Sequence, residues 1–179
     1  WPNTSDAINA IAADSAFSAD FPGKLYETSS WANEKDYLHL DMANGSYYYV
    51  QRVNHFGGIK GYTPDDVMKR IDSLLYENIP GKIISRKSIK SNTGWPGIDI
   101  VNKTAKGDMQ RYHIFVSPEE IFVFKMSGAE EYVTKGPEAD RFFNSILFRT
   151  STKNNTLYSD APLGVSVRFP ASFTDFRSQ

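Results

Sequence analysis

The chain contains 179 residues with a formal net charge of -1, no cysteine, 40% hydrophobic residues and 23% charged residues. This composition is typical of a folded globular domain, and the missing cysteines exclude disulfides, thiolate nucleophiles and cysteine-bound metals. The lack of a basic excess argues against a broad nucleic-acid surface, and no apolar run approaches the ~18 residues needed to span a bilayer.

The start of the chain is predicted to form a short helix followed by strands. Residues 5–13 combine a capping serine with an apolar face, which predicts a helix inside an N-terminal extension of residues 1–15. Residues 16–21 alternate between apolar and polar and end at a Pro-Gly turn. We expect them to pair with residues 25–30 as an edge ribbon.

Two β-hairpins are predicted further along. Asn44-Gly45 separates two alternating runs and is the strongest local hairpin signal. Residues 109–116 and 121–126 are rich in aromatic and β-branched side chains and are joined by a polar break containing proline. These patterns favour a mainly antiparallel sheet.

Two amphipathic helices are predicted, over residues 64–79 and 137–146. The first begins at Thr63 with a capping hydroxyl, a proline and two carboxylates at the positive end of the helix dipole. Apolar residues at helical spacing form one stripe in each helix: Val67, Ile71, Leu74 and Leu75 in the first, and Ala139, Phe142, Phe143 and Ile146 in the second. We expect one α+β domain over residues 16–150, with both helices on one face of the sheet and Ile71 and Phe142 as core anchors.

The tail carries a short internal match. Residues 165–170 repeat the pattern of residues 17–22, which is apolar, serine, small apolar, charged, phenylalanine, proline. A polar, linker-like run at 153–156 precedes the second copy. We therefore interpret residues 151–179 as a linker and the start of a truncated second repeat, with an extended strand at 163–170.

The order of elements resembles that of the PsbP-like and DcrB-like α/β sandwiches over roughly residues 16–150. The features that carry the resemblance are Phe-Pro-Gly at 21–23, the run Gly-Trp-Pro-Gly-Ile-Asp at 94–99, a strand containing Arg111, and the double phenylalanine at 142–143. The resemblance implies an assembly, binding or regulatory module without shared catalytic residues, and it favours a periplasmic, cell-envelope or secreted location. The chain begins at Trp1 rather than methionine, which a cleaved signal peptide or another upstream boundary would explain equally well.

Seven residues are candidates for a binding surface on the sheet face away from the helices. They are of the types that form interface hot spots or polar strand faces: Tyr37, His39, Tyr48, Arg52, Trp95, Arg111 and His113. The alternative is that the N-terminal helix, the tail or ladders of tyrosines cover this face. If their strands were neighbours, the two histidines with nearby Asp41 could converge on a metal ion, although no His-Glu-x-x-His motif is present.

The sequence predicts a non-catalytic binding module that needs no metal or cofactor and belongs to a larger envelope-associated or exported protein. Its partner would be another protein or a neighbouring domain of the same chain, with no nucleic acid and no direct membrane span. A carrier that holds a small apolar ligand between sheet and helices is the alternative, and a hydrolase of unknown substrate is third. An exposed aromatic patch over a solid core favours the module, whereas an enclosed apolar pocket favours the carrier.

Overall fold

The computed structural model describes residues 8–11, 16–23, 26–31, 34–41, 45–55, 60–149, 155–160 and 165–170. In chain order the strands of residues 1–149 are β1 (Ile8–Ile11), β2 (Phe17–Phe21), β3 (Tyr26–Trp31), β4 (Glu34–Asp41), β5 (Ser46–Asn54), β6 (Lys82–Lys90), β7 (Pro96–Lys103), β8 (Met109–Val116), β9 (Glu120–Gly128) and β10 (Leu147–Phe148). Helix α1 spans Pro64–Asn78 and helix α2 spans Pro137–Asn144, with a π-helical turn at Glu131–Lys135 before α2.

A seven-stranded sheet with the order β3-β4-β5-β9-β8-β7-β6 forms the centre of this unit. Every neighbouring pair in it is antiparallel. A second sheet, with the order β1-β2-β10, is also antiparallel. The prediction of an α+β fold with a mainly antiparallel sheet is therefore confirmed.

The two helices lie on opposite faces of the central sheet, so the prediction of one shared face is wrong. Along β8, Tyr112 and Ile114 join the apolar cluster beneath α1, whereas Phe115 joins the cluster beneath α2. Neighbouring residues of a strand point to opposite faces, so these two clusters must lie on opposite sides of the sheet. Hydrophobic periodicity shows that each helix buries one stripe, but it does not say which face of the sheet receives that stripe.

The face beneath α2 is also covered by the small sheet. Phe17 and Phe21 of β2 are fully buried and contact the aromatic rings of the central sheet and of α2. The structure places Ile8–Ile11 in a strand, so the predicted N-terminal helix is wrong for these residues, while the remainder of the predicted helix lies outside the described residues. The predicted ribbon between residues 16–21 and 25–30 is also wrong, because β2 pairs with β1 and β10.

Helix α1 begins as its sequence predicts. The Thr63 hydroxyl accepts a hydrogen bond from the Asp66 amide, and the Asp66 carboxylate accepts from the Thr63 amide and hydroxyl, which is a reciprocal capping arrangement. Its buried stripe differs from the prediction, because Met68 is buried, Ile71 is only partly buried and Leu74 is 51% exposed.

Residues 150–179 form a separate unit. Its described part is an antiparallel hairpin of β11 (Asn155–Asp160) and β12 (Val165–Pro170). The linker interpretation of residues 153–156 is wrong for Asn155 and Thr156, since both belong to β11.

Candidate functional site

The tyrosine and arginine candidates share one face of the central sheet, but this face is covered. Tyr37, Tyr48 and Arg52 are 3%, 1% and 4% exposed and lie on the same side as α2. The Tyr48 ring packs edge-on against Phe142 of α2 at 5.1 Å. The expectation that these residues line an exposed face away from the helices is therefore wrong, because α2 and the small sheet cover this face.

Trp95 and Arg52 pack against Phe122, at the end of this buried face away from Tyr48. The Trp95 ring stacks on Phe122 with centroids 6.3 Å apart and packs against Phe148 at 5.0 Å. The Arg52 guanidinium lies over the same Phe122 ring and makes a bidentate ion pair with Glu120 at 3.1 and 2.8 Å. A mostly buried arginine held by a carboxylate and a ring is a structural element of the core rim.

Arg111 and His113 do come together, around Asp99 of the neighbouring strand. Arg111 donates two hydrogen bonds to the Asp99 carboxylate at 3.1 and 2.9 Å, and His113 Nε2 lies 3.4 Å from Asp99 Oδ2. Phe143 of α2 packs on both, with the Arg111 Cζ 4.7 Å and the His113 ring 4.4 Å from its centroid. Sequence reasoning found Arg111 and His113 but missed Asp99, their shared partner.

The electrostatics of this cluster favour an ionised carboxylate. Burial alone would raise the pKa of Asp99, but its interactions with His113 and with the Arg111 guanidinium outweigh burial and hold the pKa well below its usual range. A carboxylate that is already neutralised by a bidentate arginine makes a poor general base. The cluster therefore acts as a polar anchor between β7, β8 and α2.

The two candidate histidines do not converge. His39 is opposite Tyr48 in the β4–β5 ladder, whereas His113 lies on β8, and both β5 and β9 separate these strands. Three interstrand steps place the two backbones about 14 Å apart. Within the described ranges no group of three or more metal-ligating side chains occurs.

The opposite face of the sheet carries aromatic and apolar side chains that remain partly exposed. We define the tyrosine face as Leu38, Leu40, Tyr47, Tyr49 and Lys125, which lie on β4, β5 and β9. The strand ladders pair Leu40 with Tyr47, Leu38 with Tyr49, and Tyr49 with Lys125, so the five side chains share one face. Leu40 is 55% exposed and the other four are half-buried. Helix α1 packs on β7 and β8 of the same face, beside this patch.

Lys125 provides the charge of the tyrosine face. Its Nζ lies 5.2 Å from the Tyr47 ring centroid and 5.4 Å from that of Tyr112. Burial alone would lower the pKa of Lys125, but its interactions with the Tyr47 and Tyr112 phenols raise it. Burial likewise would raise the pKa of Tyr47, yet the hydrogen bonds of Lys125 and Ser127 lower it. The ammonium group is therefore fixed in its charged form within an aromatic surface.

A buried chain of hydrogen bonds fixes Tyr112 beside the tyrosine face. The Tyr112 hydroxyl donates to Gln110 Oε1 at 2.8 Å, and Asn102 Nδ2 donates to the same oxygen at 3.2 Å and to the Pro80 carbonyl at 2.7 Å. Tyr112, against which Lys125 rests, is thus tied to β7 and to the end of α1.

Sequence reasoning missed the tyrosine face because Tyr47-Tyr48-Tyr49 offers no local sign of which residues point inward. The usable signal lies on β9, where Phe122, Phe124 and Met126 alternate with Val123 and Lys125. A lysine among otherwise apolar alternate positions marks the less buried face, and the ladder then places Tyr49 beside it.

A surface depression of about 320 Å³ lies at the β6 edge of the sheet, lined by Gly81, Lys82, Ile84, Lys103, Thr104 and Ala105. It is open to solvent and is not situated between the sheet and a helix. No helix in the described part of the chain is long and apolar enough to cross a membrane.

The sequence matches no described protein family and no curated protein sequence. The fold has similarity to solved structures. A Pseudomonas aeruginosa protein of unknown function, PA94, superposes with a TM-score of 0.43 and 13% identity over 62% of this chain and 87% of that one. A Bacteroides thetaiotaomicron protein superposes with a TM-score of 0.42 and 12% identity over 80% of this chain and 48% of its own length. Similarity at this level assigns neither a family nor a function.

Proposed function

We propose that this protein is a non-catalytic binding module and that the tyrosine face receives a protein partner. The single observation that carries the proposal is a patch of leucine, tyrosine and lysine that stays partly exposed on a sheet whose opposite face is filled by aromatic core residues. Tyrosine is among the residue types that dominate binding hot spots. The resemblance to PsbP-like and DcrB-like modules supports the same class of function.

The chemistry of the patch favours a partner with both apolar and acidic side chains. Leu38, Leu40 and the two tyrosine rings offer apolar area, so the partner presents apolar side chains. Lys125 keeps its charge, and no carboxylate among the described residues is within ion-pair distance of it. The partner therefore supplies an aspartate or glutamate next to its apolar residues.

The partner chemistry can be tested with random-peptide display against the full chain. We expect the enriched peptides to combine apolar residues with an acidic residue, and a synthetic representative to shift the backbone NMR signals of β4, β5 and β9. Leu40→Ala and Lys125→Met should each weaken this peptide by about tenfold or more, the loss typical of a hot-spot residue.

Ile84→Ala and Leu147→Ala are matched controls. Both remove a leucine-sized side chain that is as exposed as Leu40, at 55% and 52%, but lies elsewhere on the domain. They should leave the affinity unchanged. Peptides that bind equally well to Leu40→Ala and Lys125→Met, or whose affinity falls with Ile84→Ala instead, would show that the tyrosine face is not the binding surface.

A further inference from the structure

The hairpin of residues 155–170 repeats the pairing of the first hairpin of the chain. The match of residues 17–22 with 165–170 sets a shift of 148 positions, from 165 - 17. In the first hairpin Ile8 pairs with Phe21 and Ile11 pairs with Ser18. Adding 148 to each number gives Thr156 with Phe169 and Ser159 with Ser166, and both of these pairs occur in the second hairpin.

The remaining two pairs of the β1–β2 ladder follow the same shift. Asn9 with Asp20 becomes Leu157 with Arg168, and Ala10 with Ala19 becomes Tyr158 with Val167. The shift comes from the sequence alone, whereas the register comes from the backbone pairing, so the agreement is an independent observation. A one-residue difference in register would have exchanged the two faces of the strand.

The packing of β2 shows which contacts the first hairpin makes with the rest of the domain. Phe17, Ala19 and Phe21 are fully buried, and their strand lies between β1 and β10. Phe17 packs against Phe124 of the central sheet at 5.3 Å and Phe21 packs against Phe142 of α2 at 5.1 Å. The hairpin thus covers an aromatic core.

The corresponding positions of β12 are apolar as well. Val165, Val167 and Phe169 occupy alternate positions, as Phe17, Ala19 and Phe21 do in β2. The intervening residues, Ser166 and Arg168, are polar, as Ser18 and Asp20 are in the first hairpin.

We propose that β11 and β12 are the opening hairpin of a second copy of this fold. The apolar face of this hairpin packs on the central sheet and the α2-like helix of that second copy. The protein is therefore built from tandem domains of one kind. This inference rests on the two hairpins and not on the tyrosine face, and it stands independently of the proposed binding function.

A hairpin exchange within the full chain tests the equivalence. Residues 7–22 are replaced by the sequence of residues 155–170, which has the same length. We expect the chimera to unfold in one cooperative transition, with a midpoint below that of the parent because valine replaces Phe17. In a control chimera, the two residues of each neighbouring pair in the second strand of the hairpin are exchanged. This control has the same composition, but its apolar side chains point to the opposite face of the strand. That control should lose the cooperative transition, and an exchange chimera that behaves like it would overturn the proposal.

A disulfide provides a geometric readout besides stability. Leu147 of β10 pairs with Ser18 of β2, and Ser166 is the equivalent of Ser18. The chain has no cysteine, so Leu147→Cys combined with a cysteine at position 18 creates the sole thiol pair. Directly opposed residues of an antiparallel pair are close enough for a disulfide. The bond should form in the chimera as it does in the parent with Ser18→Cys, and its absence from the chimera alone would contradict the equivalence.

Discussion

The ion pair between Asp99 and Arg111 should stabilise the domain, and the Asp99→Asn substitution measures this contribution. The carboxylate receives two hydrogen bonds from a guanidinium group, and both side chains are mostly buried. Removing one partner of a buried pair costs roughly 3–5 kcal/mol, because the other charge stays buried. Arg111 keeps its contact with Phe143 and lies near Asp140, so we expect about 3 kcal/mol. This corresponds to a fall of roughly 6–12 °C in the midpoint of thermal unfolding.

The stabilisation by this ion pair should decrease as the pH falls. The pKa of Asp99 in the folded protein is held below its ordinary value of 3.8 by His113 and Arg111, which outweigh the effect of burial. The unfolded chain therefore takes up a proton at a higher pH than the folded protein does. The contribution is complete above the unfolded pKa and is lost as the pH falls below it. The difference in unfolding free energy between parent and variant should be largest above about pH 5 and shrink toward about pH 3.

Urea denaturation followed by tryptophan fluorescence at several pH values gives the required free energies. Asp140→Asn is a matched control, because Asp140 also lies near Arg111, at 3.8 Å, but is 63% exposed. An exposed ion pair contributes less than about 1 kcal/mol. Equal losses for the two variants, or a loss at Asp99→Asn that is the same at pH 7 and pH 3, would refute the assignment of a buried stabilising pair.

Four further substitutions probe the packing. Phe142→Ala should lower the free energy of unfolding by roughly 3–5 kcal/mol, since the ring is fully buried among aromatic neighbours, and a midpoint no lower than that of Leu147→Ala would contradict this. Gly81→Ala should cost about 1–3 kcal/mol, because Gly81 has a φ of +84° and a Cβ would overlap the backbone oxygen of Lys103 in the facing strand; an unchanged denaturation midpoint would show that the turn can relax. Met68→Ala should destabilise more than Ile71→Ala, because Met68 is buried and Ile71 is only partly buried; the reverse order in chemical denaturation would restore Ile71 as the anchor of α1.

Local signals were sufficient for two features of the central unit, the start of α1 and the β4–β5 hairpin. The capping residues at Thr63 and Asp66 predicted the start of α1, and the Asn-Gly pair predicted the β4–β5 hairpin, in which Gly45 has a φ of +64°. These features depend on a few adjacent backbone dihedrals and hydrogen bonds. A single sequence therefore contains the information needed to predict them.

The side of the sheet on which each helix packs depends on distant pairing and was not predictable in this way. Strand β5 pairs with β9, which is more than 60 residues away, and this places three strands between β5 and β6. Because all these pairs are antiparallel, β5 and β6 run in the same direction, and α1 must cross the sheet to connect them. The face along which such a crossover runs is decided by topology and chirality, not by the apolar stripe of the helix.

The run Tyr47-Tyr48-Tyr49 allows the buried face and the tyrosine face to be separated within one strand. Tyr48 is 1% exposed and packs on Phe142, so Tyr48→Ala should cost roughly 3–5 kcal/mol of stability, the range found for large aromatic truncations. Tyr49 is half-buried beside Lys125, so Tyr49→Ala should cost less stability but weaken the display-selected peptide by about tenfold. Once corrected for the fraction of folded protein, the affinity of Tyr48→Ala should equal that of the parent. Peptide titration and urea denaturation of both variants provide the comparison. A loss of affinity in folded Tyr48→Ala with none in Tyr49→Ala would assign the binding surface to the face beneath α2 and overturn the tyrosine face.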